Sequence, residues 1–212
     1  MNVLRGLLEA LMPKRNTARI LEQATLGSVG SLLHPTLEDL AGTRLVSLLP
    51  YREQSVRALI LEAKFHDTSP AFSLLGAVLA TYVSEIATER AFEKMHTVLV
   101  PIPLSKERYR HRGYNQVECI AREALRTLPP SFFSVDTTLL QRVRNTTPQT
   151  TLDRTARQRN MIGAFQAVKP LSSKTLYILL DDVATTGATL SAGRAALLEA
   201  KATDIEVVAL AH

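Results

Sequence analysis

The apolar positions change period several times along the chain, and each change marks an element. Leu4, Leu7, Leu8 and Leu11 recur at helical spacing until Pro13 closes the run. Residues 14–43 carry weak periodicity and are expected to hold helix and loop. The run LVSLL, residues 45–49, predicts a short strand. Val56, Leu59, Ile60 and Ala63 then share one face of a helix over 53–65, and Pro70 opens another that runs to about Arg90. Val98 to Ile102 predicts a buried strand closed by Pro103. A helix over 116–128 ends at Pro129-Pro130, and a short strand is expected over 135–140. Residues 153–161 read as a polar helix, 176–180 as a strand, 188–201 as a helix and 205–210 as a final strand.

Strands alternate with helices through the second half. That order predicts an α/β fold with a mostly parallel central sheet flanked by helices. Ligands of such sheets sit beyond the carboxyl ends of the strands, so the informative residues should follow Ile102 and Leu180.

Composition narrows the picture. The 212 residues suffice for one α/β domain, and the hydrophobic share of 46% is that of a globular chain. Cys119 is the lone cysteine, which leaves no internal disulfide and no cysteine-based zinc site. A single thiol fits a reducing cytoplasm, where the chain is expected to reside. The net charge of +5, from 25 basic and 20 acidic residues, suits partners that bear phosphate. The N-terminal run lacks the length and cleavage site of a signal peptide. The charge-free stretch Pro70–Ser84 falls short of the roughly 18 residues a membrane span needs, so no span is expected.

The densest chemistry lies in YILLDDVATTGAT, residues 177–189. A buried strand ends in Asp181 and Asp182, and a turn of small residues then enters a helix. Small residues let the backbone approach a phosphate, and successive N–H groups at a helix start form an anion pocket. Thr185, Thr186 and Thr189 add hydroxyl donors. Paired carboxylates suit two vicinal ribose hydroxyls, or a magnesium ion reached through water. The plain alternative is a strand–turn–helix with Asp182 as a cap and the threonines as turn residues. Neither G-x-G-x-x-G nor G-x-x-x-x-G-K-[ST] occurs.

This segment resembles the signature of the type I phosphoribosyltransferases throughout. Two further stretches, VPIPLSKERYRHRGYNQ (100–116) and RVRNTTPQTTLDRTARQRNMIGAF (142–165), resemble the ComF family, which includes competence proteins and GntX-type proteins. YREQSVRALILEAKFHD, containing Lys64, adds to that likeness, which spans about residues 51–212. The chain departs from the ComF pattern at its N-terminus, where LLEALMP is present without the four cysteines of a zinc ribbon, and no structural zinc is expected.

The resemblance implies a type I phosphoribosyltransferase fold over 51–212, preceded by a helical or hood segment over 1–50. It implies that Asp181 and Asp182 bind the ribose hydroxyls of phosphoribosyl pyrophosphate and that Ala184, Thr185, Thr186, Gly187, Ala188 and Thr189 hold its 5-phosphate. Magnesium would be held through ligand and water rather than by the protein directly.

Lys106, Arg108, Arg110 and Arg112 follow the strand that should end at the active face. They are read as a mobile basic loop that receives pyrophosphate, the alternative being a solvated loop. Tyr114 is a candidate to stack on a base, and Asn115 and Gln116 to make amide contacts. Arg142, Arg144, Arg154, Arg157 and Arg159 form a second basic stretch, either an exposed helix face or a nucleotide or nucleic-acid contact. His34, His66, His96 and His111 lack ligand spacing, and Cys119 reads as a small core residue.

Two functions remain open. One is transfer of phosphoribose to an acceptor. The other is a non-catalytic role in DNA uptake, with single-stranded DNA or a DNA-handling protein as partner.

Overall fold

The structure is a computed structural model that describes residues 15–89, 96–144 and 160–212. The expected helix at Leu4–Leu11 and most of the one over 153–161 lie outside the described residues. The elements begin with helices α1 (Asn16–Gln23) and α2 (Leu26–Gly30), then strands β1 (Thr36–Leu40) and β2 (Thr43–Leu49). Helices α3 (Gln54–Phe65) and α4 (Ser69–Glu89) precede β3 (His96–Pro101). Next come α5 (Lys106–Arg112), α6 (Gln116–Leu125), β4 (Phe133–Val135), β5 (Leu140–Arg142) and β6 (Phe165–Ala167). The chain ends with β7 (Thr175–Val183), α7 (Ala188–Glu199) and β8 (Asp204–Ala211).

The central sheet runs β1-β2-β8-β7-β3-β4, and β5 pairs with β6 in a small antiparallel ribbon. Every neighbour pair of the central sheet is parallel except β1 with β2. The molecule is therefore α/β, with a mostly parallel mixed sheet flanked by helices. Strand alternation explains the unbroken apolar runs. Ile178, Leu180, Val208 and Leu210 enter the core shared with α3, α4 and α6. Tyr177, Leu179, Val207 and Ala209 enter the core shared with α7 and the β5–β6 ribbon. Both faces are buried, so no polar alternation survives.

From β3 the chain leads through α6 to β4, toward one edge; from β7 it leads through α7 to β8, toward the other. The strand order thus reverses between β3 and β7, which opens a crevice at their carboxyl ends.

Several expectations are revised. Residues 36–40 form a strand rather than helix or loop. Strand β1 lies on the sheet edge with no buried residue, so its sequence carries no apolar alternation. Strand β2 pairs with β8, so the sheet continues across the expected boundary at residue 50. The single strand expected over 135–140 is two short ones. Asp136 Oδ1 accepts from the N–H groups of Thr138 at 3.0 Å and Leu139 at 2.9 Å, and that turn interrupts the run. Strand β6 had no counterpart in the reading of the sequence.

Among the described residues, one helix, Ser69–Glu89 with 21 residues, is long and apolar enough to cross a membrane. The apolar stretch outruns Pro70–Ser84 because Glu85 and Glu89 sit on its exposed side. Here α4 buries Phe72, Leu75, Leu79 and Val83 in the core and packs on α6. The two helices meet at Gly76, where an added Cβ would lie 2.6 Å from Glu123 Cβ and 3.0 Å from the backbone nitrogen of Ala124. Gly76→Val should therefore overpack this crossing and lower stability by about 1–3 kcal/mol, read from the shift in a denaturant midpoint at unchanged slope.

Candidate functional site

Strand β7 is longer than the apolar run suggests. It continues through Asp181 and Asp182 to Val183, with Asp181 opposite Ala209 and Val183 opposite Ala211. The two carboxylates therefore stand within the strand, and its alternation sends them to opposite faces of the sheet. Asp182 shares the parity of Leu180 and meets α3 and α6. Asp181 shares the parity of Leu179.

Asp182 is buried and fully engaged. Lys64 Nζ, from the last turn of α3, lies 3.1 Å from Asp182 Oδ2. Gln116 Nε2, from the first turn of α6, donates to the same oxygen at 2.7 Å. Asp182 Oδ1 accepts from the N–H of Val183 at 2.7 Å. Behind Gln116, Arg112 Nη1 donates to its Oε1 at 2.6 Å, and the guanidinium lies over the Phe65 ring at 5.3 Å. Burial holds the Arg112 pKa below its ordinary value, against the pull of Asp182.

Asp181 is the more open carboxyl. Its Oδ1 accepts from the N–H of Asp182 at 2.9 Å, and Oδ2 has no donor among the described residues. Burial, and then the charge of Asp182, push it up from 3.8 to about 7, against the weaker pull of Lys64 and Arg108.

The loop after β7 is held at both ends. Ala184 N–H donates to Ala211 O at 3.0 Å, and Ala184 O lies 2.7 Å from His212 Nδ1. Gly187 is the N-cap of α7 with φ of 73°, a left-handed conformation that glycine adopts at little cost. Among the described residues no acceptor bonds the N–H groups of Thr185, Thr186 and Gly187. This row, at the positive end of α7, favours an anion. The β1–β2 hairpin closes over the loop from outside. Its two turn residues, Ala41 and Gly42, both have positive φ, and a Cβ on Gly187 would lie 2.5 Å from Leu40 Cβ.

These groups line one cavity of about 820 Å³ at the carboxyl edge of the sheet, together with Arg108, Arg112, His111, Glu107 and Arg142. Burial also lowers the Arg142 pKa, and repulsion from Arg108 adds to it. The structure thus brings Asp181, Asp182, Ala184 to Thr189, Arg108 and Arg112 together.

It does not bring Lys106 and Arg110 with them. The segment read as a basic loop is helix α5, capped by Ser105, whose Oγ accepts from Arg108 N–H at 3.3 Å, and closed by Gly113. Helical period puts Arg108 and Arg112 on one side and Lys106 and Arg110 on the other. The latter pair lines a separate cavity of about 540 Å³.

Tyr114 is not available to stack on a base. Its hydroxyl donates to Ala63 O at 2.9 Å and accepts from Asp67 N–H at 3.0 Å, and its ring packs edge-on against Phe72. Asn115 is used inside the fold, its Nδ2 donating to Ile102 O at 3.0 Å and its Oδ1 capping α6. Of the second basic stretch, Arg142 lines the large cavity and Arg144 donates to Asn160 O at 2.6 Å. Arg154, Arg157 and Arg159 lie outside the described residues, as do Thr147, Gln149 and Leu152.

Lys64, Tyr51, Phe65 and His212 line the site without having been singled out as site residues. Lys64 had a signal, as the basic residue closing a helix that resembles a family segment. Tyr51 and His212 reach the site because β2 and β8 also end at this edge.

Over 164 residues the chain is 28% identical to the DNA utilization protein YhgH of Escherichia coli (strain K12), a match spanning 77% of this chain and 70% of that protein. The proteins of the same name from Escherichia coli O157:H7 and Salmonella typhimurium match to the same extent. No family model matches the chain.

Two outcomes follow from this geometry. Gly187→Ala should lower stability by about 2 kcal/mol or more, through left-handed strain and collision with Leu40, measured by denaturant unfolding. The second concerns pH. A carboxyl with a raised folded-state pKa binds its proton more tightly in the folded chain. The Asp181 contribution to stability should therefore decline as pH rises from 3.8 to about 7 and stay level above that. Asp181→Asn should abolish this decline and be more stable than the parent at neutral pH, as unfolding curves at stepped pH would reveal.

Proposed function

We propose that the chain binds phosphoribosyl pyrophosphate with magnesium at the carboxyl edge of its sheet, and that it works in DNA utilization. One observation carries the reading. A single cavity is lined by the open carboxyl of Asp181, by the engaged carboxylate of Asp182, by a row of N–H groups with no acceptor among the described residues, and by Arg108 and Arg112. A ribose 5-phosphate bearing pyrophosphate needs each of these in turn. The loop 184–189 would take the 5-phosphate, Asp181 a ribose hydroxyl, and Arg108 and Arg112 the pyrophosphate. The strand-order reversal between β3 and β7 supports a type I phosphoribosyltransferase fold. The motifs over 51–212 support a place in the ComF family.

Magnesium fits this donor set in one way. No three His, Cys, Asp or Glu side chains group together among the described residues. Pyrophosphate oxygens and water would hold magnesium beside the open carboxyl of Asp181. When bound it would neutralise pyrophosphate charge.

Transfer of phosphoribose to an acceptor would then draw on this chain's own residues. The bond between the anomeric carbon and the pyrophosphate oxygen breaks, the electron pair leaves with pyrophosphate toward Arg108 and Arg112, and a lone pair of the acceptor forms the new bond to that carbon as the acceptor's proton passes to water. The carboxylates of Asp181 and Asp182 stabilise positive charge on the ribose. Asp182 reaches the ribose only by exchanging Lys64 or Gln116 for a ligand hydroxyl.

The second reading is a non-catalytic protein of DNA uptake. The name of the relatives and the exposed cations of α5 favour it.

Calorimetric titration with phosphoribosyl pyrophosphate, with and without magnesium, separates the two. The expected result is magnesium-dependent binding that weakens about tenfold in Arg108→Ala and in Asp181→Asn. Absence of binding with magnesium, or full affinity in both variants, would overturn the ligand assignment and leave the second reading.

A further inference from the structure

We infer that the cavity on the far side of α5 is a subsite for one nucleotide of single-stranded nucleic acid, with Tyr109 as the base platform and Lys106 and Arg110 as phosphate partners. The inference rests on the DNA reading above and gives it a location.

Helix α5 buries none of its residues, so packing does not explain its composition. It is set by its caps and by the Arg112–Gln116 bond. Six of its seven residues are exposed, among them Lys106, Arg108, Tyr109 and Arg110. Helical period places Lys106, Tyr109 and Arg110 on one side, at spacings of three and four. All three line the cavity of about 540 Å³, whose remaining wall includes Pro101, Pro103 and Leu104. That volume lies in the ordinary range of small-molecule sites. A cavity that combines apolar residues with an aromatic ring suits a planar base.

Charge points the same way. Among the described residues neither Lys106 nor Arg110 forms an ion pair. Among the described residues the one acid lining the cavity, Glu118, is held by Arg122 at 2.9 Å. Asn115 is spent on the backbone and serves as a fixed floor. The cavity therefore presents two unanswered cations beside an exposed ring. Sequence-tolerant readers of single strands combine these elements. Tyr109, 53% exposed, is open to stacking, whereas the hydroxyl and ring of Tyr114 are held by neighbours. A polymer fits better than a free nucleotide because cations project from both sides of α5. Lys106 and Arg110 serve this cavity, while Arg108 faces the larger one. A strand crossing the helix would meet phosphate partners in succession.

Fluorescence anisotropy of a labelled oligothymidylate of about twelve nucleotides, titrated with the full chain across a salt series, tests this. The parent protein should bind, more weakly as salt rises. Tyr109→Ala should lose about tenfold in affinity with little change in salt slope, and Tyr109→Phe should retain binding. Lys106→Ala with Arg110→Ala should reduce the salt slope by about one to two. Thymidine 5′-monophosphate should compete only at far higher concentration. Because these side chains are exposed, melting curves of the variants should match the parent. If Tyr109→Ala binds like the parent while salt-sensitive binding persists, the subsite is wrong and the DNA reading stands. No binding by the parent at low salt removes both. Equal competition by the monophosphate overturns the polymer as ligand.

Discussion

A buried carboxylate at the end of a central strand has to be answered by charge and hydrogen bonds, and the arrangement around Asp182 is that answer. Lys64 and Gln116 meet the same oxygen, one from the end of α3 and the other from the start of α6. The contact joins β7 to two helices that also share its apolar core. Removing a partner from a buried charge typically costs about 3–5 kcal/mol, so this contact constrains where both helix ends can lie. Arg112 extends the constraint to α5 through Gln116 and Phe65. The positions of the cavity walls follow from these few bonds.

The same strand geometry gives the two aspartates different tasks. Asp182 is turned toward Lys64 and organises the site. Asp181 is turned the other way, close to Arg142 and Arg108, and retains an oxygen for a ligand. Its raised pKa reflects burial near a like charge, a condition that a bound cation or ligand hydroxyl relieves. The β1–β2 hairpin completes the design by backing the Gly187 turn, so the N–H row is held from both sides. A carboxyl awaiting a partner and a prearranged anion cradle are features of a binding site more than of a structural core.

Helix α5 connects this site to a second surface. One side of it carries Arg108 and Arg112 toward the acidic pair, and the other carries Lys106 and Arg110 toward the smaller cavity. The likeness to DNA utilization proteins covers 77% of the chain, and both cavities beside α5 fall within described residues.

The amino-acid sequence by itself determined the parallel architecture. The apolar runs at 98–102, 176–180 and 205–210, separated by helical periods, admit few other arrangements. It also marked Asp181, Asp182 and the loop 184–189, because a strand, two acids and a small-residue turn are contiguous and their chemistry is local. What it could not carry was anything set by partners distant in the chain. Strand β1 pairs as an unburied edge. The basic stretch 106–112 is a helix whose residues divide between two cavities. Asp182 is taken by Lys64 and Gln116, and Tyr114 is locked to Ala63, Asp67 and Phe72. Each of these depends on which surfaces meet after the sheet has assembled, and only the tertiary structure decides that.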